Sequence, residues 1–124
     1  MMDLDEFKSI NDTFGHIVGD EAIVEAANCI KNNPVIGHFY APGRFGGDEF
    51  VILCSADESS IRHISNTIDK RINDSNESRG KKSYVLSFSK GFTKLRENDL
   101  TVQEIIDRAD DNLYKAKEKR GTSR

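Results

Sequence analysis

The chain of 124 residues has no tryptophan, only two prolines and only two cysteines. It also lacks any apolar run near the ~20 residues of a membrane-spanning helix. The start, MMDLDEFKS, is acidic and has no apolar core of a secretory signal. Cys29 and Cys54 form no CxxC or framework pattern, which excludes a disulfide scaffold. Both lie in apolar stretches and read as small buried residues of a reduced, cytoplasmic protein. No Pro/Gly/Ser-rich linker and no internal repeat divides the chain. An excess of positive charge is missing too. With 18 Lys and Arg against 21 Asp and Glu, the net charge is -3, a poor fit to a nucleic-acid binder. The one basic run is the tail, Lys115 to Arg124, where cations suit a helix end.

What is present suffices for one domain. At 36% hydrophobic and 8% aromatic, a chain of this length can bury a core and is not disordered. Three segments carry helical periodicity. Ile23, Ala26, Ala27 and Ile30 predict a helix over Asp20 to Lys31. Ile61, Ile64, Ile68 and Ile72 predict a second over Ser59 to Asn73, followed by a polar surface loop, NDSNESRGKK, over 73–82. Ile105, Ile106, Ala109, Leu113 and Ala116 predict a third over Val102 to Lys119, with Thr101 and Glu104 forming a capping box.

Strands are fewer. FVILC, Phe50 to Cys54, is continuously apolar, as a strand buried on both faces would be. Phe39 to Phe45 pairs with it across a Gly46-Gly47 turn. Tyr84 to Phe92 alternates, with Leu86, Phe88 and Phe92 on one side and Ser87, Ser89 and Gly91 on the other; Lys90 breaks the alternation. Met1 to Leu4 is a short apolar stub. The fold class is α+β, a mostly antiparallel central sheet flanked by helices.

The chemistry concentrates at the turns. Asp3 ends the stub, and Asp48 sits in the glycine turn. Neighbouring strands would bring both to one rim, where two carboxylates repel unless one keeps its proton or a divalent cation joins them. Magnesium prefers one or two carboxylates plus substrate phosphates. The plainer alternative is that Asp3 and Asp48 are solvated turn acids. Gly46-Gly47 permits close approach of a ligand, or is simply a hairpin turn. Asp48 and Glu49 together at the mouth of an apolar strand are unusual, because acids are depleted in strands. The turn-rich stretch Asp3 to Asp20 holds Asp3, Asp5, Lys8, Asn11, Asp12, His16 and Asp20. Asn11 and Asp20 can meet a purine edge, a carboxylate accepting from guanine N1–H and its amino group. They can equally be a turn residue and a helix N-cap. Lys8 and His16 alone read as a surface lysine and a structural histidine.

Three ordered segments carry a resemblance. Gly46 to Phe50 reads GGDEF within RFGGDEFVIL, DLDEFKSINDTFGHIVGDEAI follows a D-x-D-x-F-K-x-I-N-D-x-x-G-H-x-x-G-D pattern, and ADDNLYKAK follows A-D-x-x-L-Y-x-A-K. The chain resembles a GGDEF domain, that is, a diguanylate cyclase. The resemblance implies a nucleotidyl cyclase or polymerase palm-like fold and condensation of two GTP into cyclic di-GMP plus pyrophosphate. It implies a homodimer for catalysis, with the two sites face to face. Asp3 and Asp48, with the Leu4 carbonyl, would hold Mg²⁺ or Mn²⁺. Glu49 would be the general base or a second metal-site carboxylate. Phe7 and Lys8 would hold the β/γ-phosphates, Asn11, Asp20 and His16 the guanine. Gly46 and Gly47 would let the substrate approach, and Lys117 would reach the triphosphate. The resemblance further implies an N-terminal sensory or regulatory domain in the full-length protein, a cytoplasmic location, and no nucleic-acid or membrane contact by this domain.

The sequence departs from the pattern in three places. The family begins with a helix and D-x-L-T-G-L-x-N-R ahead of the first strand, so residues 1–124 read as one domain lacking that helix and part of the strand. The product-feedback motif R-x-x-D is replaced by Gly37-His38-Phe39-Tyr40, so tight feedback there is not expected. The tail reads AKEKRGTSR where the family has A-K-x-x-G-R-N, and Arg120 is weighed there as a phosphate contact. The alternative to a cyclase is a non-catalytic domain that binds GTP or cyclic di-GMP.

Overall fold

A computed structural model describes residues 1–80 and 83–121. The elements run β1 (Met2–Leu4), α1 (Phe7–Phe14), α2 (His16–Ile30), β2 (Tyr40–Gly46), β3 (Glu49–Cys54), α3 (Glu58–Arg79), β4 (Phe88–Lys90) and α4 (Val102–Arg120). The strands form one antiparallel sheet in the order β2-β3-β1-β4. The α+β architecture is the one expected, with α1 a fourth helix beyond the three that periodicity predicts.

Period-two alternation sorts the side chains onto two faces. Met2, Leu4, Phe50, Leu86 and Phe88 point into the main core, where Ile10, Ile23, Ala26, Ile30, Ile64, Ile68 and Ile72 of the helices meet them. The Phe50 and Phe88 rings meet edge to face at 5.8 Å. The opposite face is covered by α4, whose Ala109 and Leu113 pack on Met1, with Val51 and Ile106 at the margin. Gly91 makes this possible: a Cβ there would lie 2.2 Å from the Leu113 backbone N and 2.3 Å from the Ala109 carbonyl. Helix α4 begins with the expected capping box, both reciprocal bonds between Thr101 and Glu104 being present.

Several boundaries differ from the sequence reading. The stretch Asp3 to Asp20 is mostly helical. Glu6 in the left-handed region (φ 55°) turns β1 directly into α1, and Gly15 (φ 92°) separates α1 from α2. Helix α2 therefore starts at His16, and Asp20 lies inside it rather than at its N-cap. Helix α3 runs on to Arg79, through most of the expected loop, of which residues 81–82 lie outside the described residues. Its polar end is not idle. Asn76 Nδ2 donates to the Leu86 carbonyl at 2.8 Å and Asn76 Oδ1 accepts from Leu86 N at 2.8 Å, while Arg79 donates to the Tyr84 carbonyl at 2.6 Å. Those side chains take the backbone groups that a ladder would otherwise use, so β4 shrinks to three residues from the nine expected over Tyr84 to Phe92.

Two further readings change. Strand β3 is not buried on both faces: Phe50 is 1% exposed, but Leu53, of opposite parity, is 64% exposed because α4 covers only the β1–β4 half of its face. Phe92, expected among the apolar side, is exposed beyond the end of β4. Lys90 is explained by its partners, since its ammonium donates to Asp69 Oδ1 at 2.5 Å and Ser65 Oγ at 2.8 Å on α3. Cys29 and Cys54 are free, the first buried and the second half-buried.

Candidate functional site

The site lies where β1 leaves the sheet beneath the C-terminal end of α4. Register places Asp3 opposite Glu49 on β3 and opposite Ser89 on β4. Leu4 N donates to the Asp48 carbonyl at 3.2 Å, tying the glycine turn to the end of β1. Asp3 and Asp5 share the parity that faces α4, and both are buried. Helix α4 meets them with Lys117, only 2% exposed, whose Nζ lies 3.3 Å from Asp3 Oδ2 and 3.8 Å from Asp5 Oδ1.

Charge is not balanced evenly here. Asp3 Oδ1 is buried and has no hydrogen-bond partner. Burial and the adjacent Asp48 carboxyl push Asp3 up to about 7, against the opposing pull of Lys117. Two neighbouring carboxyls, one with an orphaned oxygen, make a place for added positive charge. Among the described residues no three or more His, Cys, Asp or Glu gather around a common point. A divalent cation there would therefore draw its remaining ligands from backbone, water or substrate, the habit of Mg²⁺. The donor set fits such an ion.

A second group of predicted residues lines the α1–α2 corner. Asn11 is half-buried on α1, and Gly19 on α2 faces it so closely that a Cβ would sit 1.8 Å from Asn11 Oδ1. Gly19 thus fixes where the Asn11 amide can stand. Asp20 and His16 are exposed on α2, one turn apart, and Phe7 is half-buried. The N-terminus of α1 receives no side-chain cap from Glu6, so its first backbone N–H groups, Phe7 and Lys8 among them, are available to an anion. The Lys8 ammonium is not turned inward: it is 89% exposed and pairs with Asp12 at 2.8 Å. Gly46 pairs with Glu49 across a register shift, and Gly47 (φ 47°) turns the hairpin, its carbonyl accepting from Arg44 Nε at 2.9 Å.

Comparison with known proteins can now be set beside this geometry. The family described as "Diguanylate cyclase, GGDEF domain" matches residues 1–123. The chain belongs to the GGDEF domain family. It is 29% identical over 119 residues to diguanylate cyclase A of Treponema denticola, covering 95% of this chain and 32% of that protein. It is 32% identical over 121 residues to the response regulator PleD of Caulobacter vibrioides, covering 94% of this chain and 26% of that protein. The chain thus spans a third or less of these relatives. Among solved structures, the GGDEF domain of DgcB from Caulobacter crescentus in complex with c-di-GMP aligns with TM-score 0.80 at 27% identity, over 95% of this chain and 70% of that one. The active GGEEF domain of a diguanylate cyclase from Vibrio cholerae aligns with TM-score 0.77 at 31% identity, over 98% and 75% respectively.

Within this GGDEF domain the structure gathers Asp3, Leu4, Asp48, Glu49 and Lys117 at one end of the sheet. Phe7, Lys8, Asn11, His16 and Asp20 belong to the helices that follow β1. Ser87 and Ser89 join this location without having been picked out as site residues, and Asp5 and Arg120, both noted in the sequence, are joined to each other there. Asp5 accepts from Ser87 Oγ at 2.6 Å and Ser89 Oγ at 2.5 Å, and Arg120 Nη1 lies 3.3 Å from Asp5 Oδ2. The signal was in the sequence: Asp3 and Asp5 are two apart, as Ser87 and Ser89 are, so each pair faces one way. Arg120, weighed as a phosphate contact, also donates to the Phe88 carbonyl at 2.7 Å. No described helix is long and apolar enough to cross a membrane.

Proposed function

We propose that this GGDEF domain is the catalytic part of a diguanylate cyclase, joining two GTP into cyclic di-GMP and pyrophosphate. The observation that carries this reading is Asp3: buried, with an orphaned oxygen, pressed by Asp48 and flanked by Lys117. Asp3, Asp48 and the Leu4 carbonyl would hold Mg²⁺ or Mn²⁺, which when bound neutralises phosphate charge and draws substrate oxygens into line. The uncapped α1 N-terminus, through the Phe7 and Lys8 amides, would take the β/γ-phosphates. For Lys8 the support falls on its backbone rather than its solvent-facing ammonium. Lys117 adds positive charge from the opposite side. Gly46 and Gly47 present bare backbone ahead of Asp48, so a nucleotide can lie against them.

Specificity would come from the α1–α2 corner. Asp20 accepts from guanine N1–H and the exocyclic amine, Asn11 completes the edge, and His16 lies beside them. Adenine would leave the carboxylate without donors, so GTP is preferred over ATP. Glu49, which pairs opposite Asp3, would take the proton of the attacking 3′-hydroxyl as it closes on the α-phosphorus of the other nucleotide, or act as a second metal-site carboxylate. Phosphoryl transfer is chiefly positioning and charge stabilisation, which this residue set supplies. Each chain offers one guanine corner and the product contains two guanylates, which supports a homodimer with sites facing. The stretch 37–40 lacks Arg and Asp, and His38 and Phe39 are occupied by Ser55, so feedback inhibition is not expected through it.

The test is GTP turnover with Mg²⁺, read by nucleotide chromatography, beside Glu49→Gln. Cyclic di-GMP from the parent and none from the variant supports catalysis by this site. GTP binding without product assigns the domain to nucleotide sensing instead.

A further inference from the structure

Asp5 is a buried carboxylate to which the mechanism above gives no task. It is also the most heavily engaged acid in the site. Ser87 and Ser89 donate to its two oxygens at 2.6 and 2.5 Å, and its backbone N donates to the Ser87 carbonyl at 2.9 Å. The carboxylate therefore has a fixed position on the rigid end of the sheet. Two cations from one face of α4 close on it, Lys117 at 3.8 Å and Arg120 at 3.3 Å. These residues are three apart, so they project from neighbouring positions on the helix. They belong to its last turn, where fraying is easiest and where no partner strand holds the backbone.

A buried ammonium needs a fixed partner to stay where it is. Asp3 alone is a poor one, because the adjacent Asp48 carboxyl opposes its charge and any arriving cation competes for it. Asp5 has no such competitor. Resting on the proposed cyclase reading, we propose that Asp5 is a positioning residue for nucleotide binding: clamped by Ser87 and Ser89, it holds Lys117 and Arg120 of α4 at the triphosphate end of the site. It touches neither substrate nor metal and acts through the two cations.

The test uses affinity for a non-hydrolysable GTP analogue in Mg²⁺, with the melting temperature recorded alongside. Asp5→Asn keeps the size and one accepting oxygen and removes the charge. Taking the fixed carboxylate away from Arg120, and one of two carboxylates away from Lys117, is expected to weaken analogue binding about tenfold or more. In a Lys117→Met/Arg120→Gln background the same substitution is expected to add less than about twofold, because nothing remains for Asp5 to hold. A merely structural role would give equal losses in both backgrounds, and that result overturns the proposal. So does Asp5→Asn binding as tightly as the parent. Should Asp5→Asn not fold, Ser89→Ala loosens the clamp with the charge intact, and an unchanged affinity there overturns the proposal as well. A parent that binds no analogue removes the cyclase reading and this proposal together, whereas a parent that binds and an insensitive Asp5→Asn removes the proposal alone.

Discussion

Two carboxylates in this molecule sit in opposite circumstances. Glu25, on α2, is met by donors on every side: Ser75 Oγ, Tyr84 Oη at 2.6 Å and Arg79 Nε at 2.7 Å. Arg79 also stacks over the Tyr84 ring at 4.1 Å. Burial pushes the Glu25 carboxyl up, but these bonds outweigh it and hold it below its ordinary range. Asp3 is more deeply buried, has one oxygen with no donor, and is pushed up to about 7. The first carboxylate is satisfied by its own chain, so it contributes to folding. The second is left short of positive charge, which costs stability and makes sense only if something outside the chain supplies it.

The sharpest way to break that contrast is to neutralise each acid in turn. Asp3→Asn is expected to lower cyclase turnover at least about a hundredfold, the scale of losing one electrostatic stabiliser. The same change should leave the metal-free protein as stable as the parent or more so, since it removes the repulsion with Asp48. Parallel turnover assays and urea titrations check both halves. A marked loss of stability would place Asp3 with Glu25 as a structural acid. Glu25→Gln should do the reverse. It deprives Arg79 of its carboxylate partner and is expected to cost about 1–3 kcal/mol in urea unfolding. Turnover per folded molecule should be unaltered, because the side chains that hold Glu25 are Ser75, Arg79 and Tyr84, none of them a proposed site residue.

The acid and alkaline limbs of stability sharpen the comparison further. Glu25 is depressed in the folded state, so its contribution is present above the unfolded carboxyl pKa of about 4.3 and is lost as pH falls through the lower folded value. Tyr84, pushed up to about 12 by burial and then by its bond to Glu25, behaves in the opposite sense. Its contribution is full below the unfolded phenol value of about 10 and is lost as pH rises from there toward 12. Thermal melts against pH should show both limbs weaken in Glu25→Gln. Limbs identical to the parent's would detach the network from stability.

How much of this the sequence disclosed depends on the kind of interaction. Local patterns were legible: the Ile68 and Leu113 stripes, the Thr101–Glu104 box, the hairpin around Gly46-Gly47, and the antiparallel sheet they imply. The ordered GGDEF motifs named the residues gathered at the end of β1. Long-range polar bonds were not legible. Asn76 and Arg79 looked like loop residues because nothing local shows that the backbone of Tyr84 and Leu86 lies beside them. For the same reason β4 was drawn too long. Lys90 broke its strand's alternation until Asp69, 21 residues away, supplied the reason. Lys8 had the right motif, but its side chain pairs with Asp12 on its own helix, an i,i+4 contact that motif matching does not weigh.

The smallest expected effect probes the other end of the site. Gly19 is buried in α2, and a methyl group there would occupy the place of Asn11 Oδ1, at 1.8 Å. The obstructing atom is the far end of a side chain, not backbone, so Gly19→Ala can be absorbed if Asn11 swings away. Alanine also favours a helix over glycine by about 1 kcal/mol, which offsets part of that movement. Net stability should therefore change by less than about 1 kcal/mol. The Asn11 amide, however, would leave the position proposed for the guanine edge. A lost hydrogen bond of about 1 kcal/mol corresponds to a severalfold rise in KM for GTP, with kcat nearly constant because the reacting phosphates are untouched. If KM for GTP stays at the parent value while the melt is also unchanged, Asn11 is an ordinary residue of α1 and the base is read elsewhere. If stability collapses instead, Gly19 serves packing between α1 and α2, and the corner joins Glu25 on the structural side of the comparison.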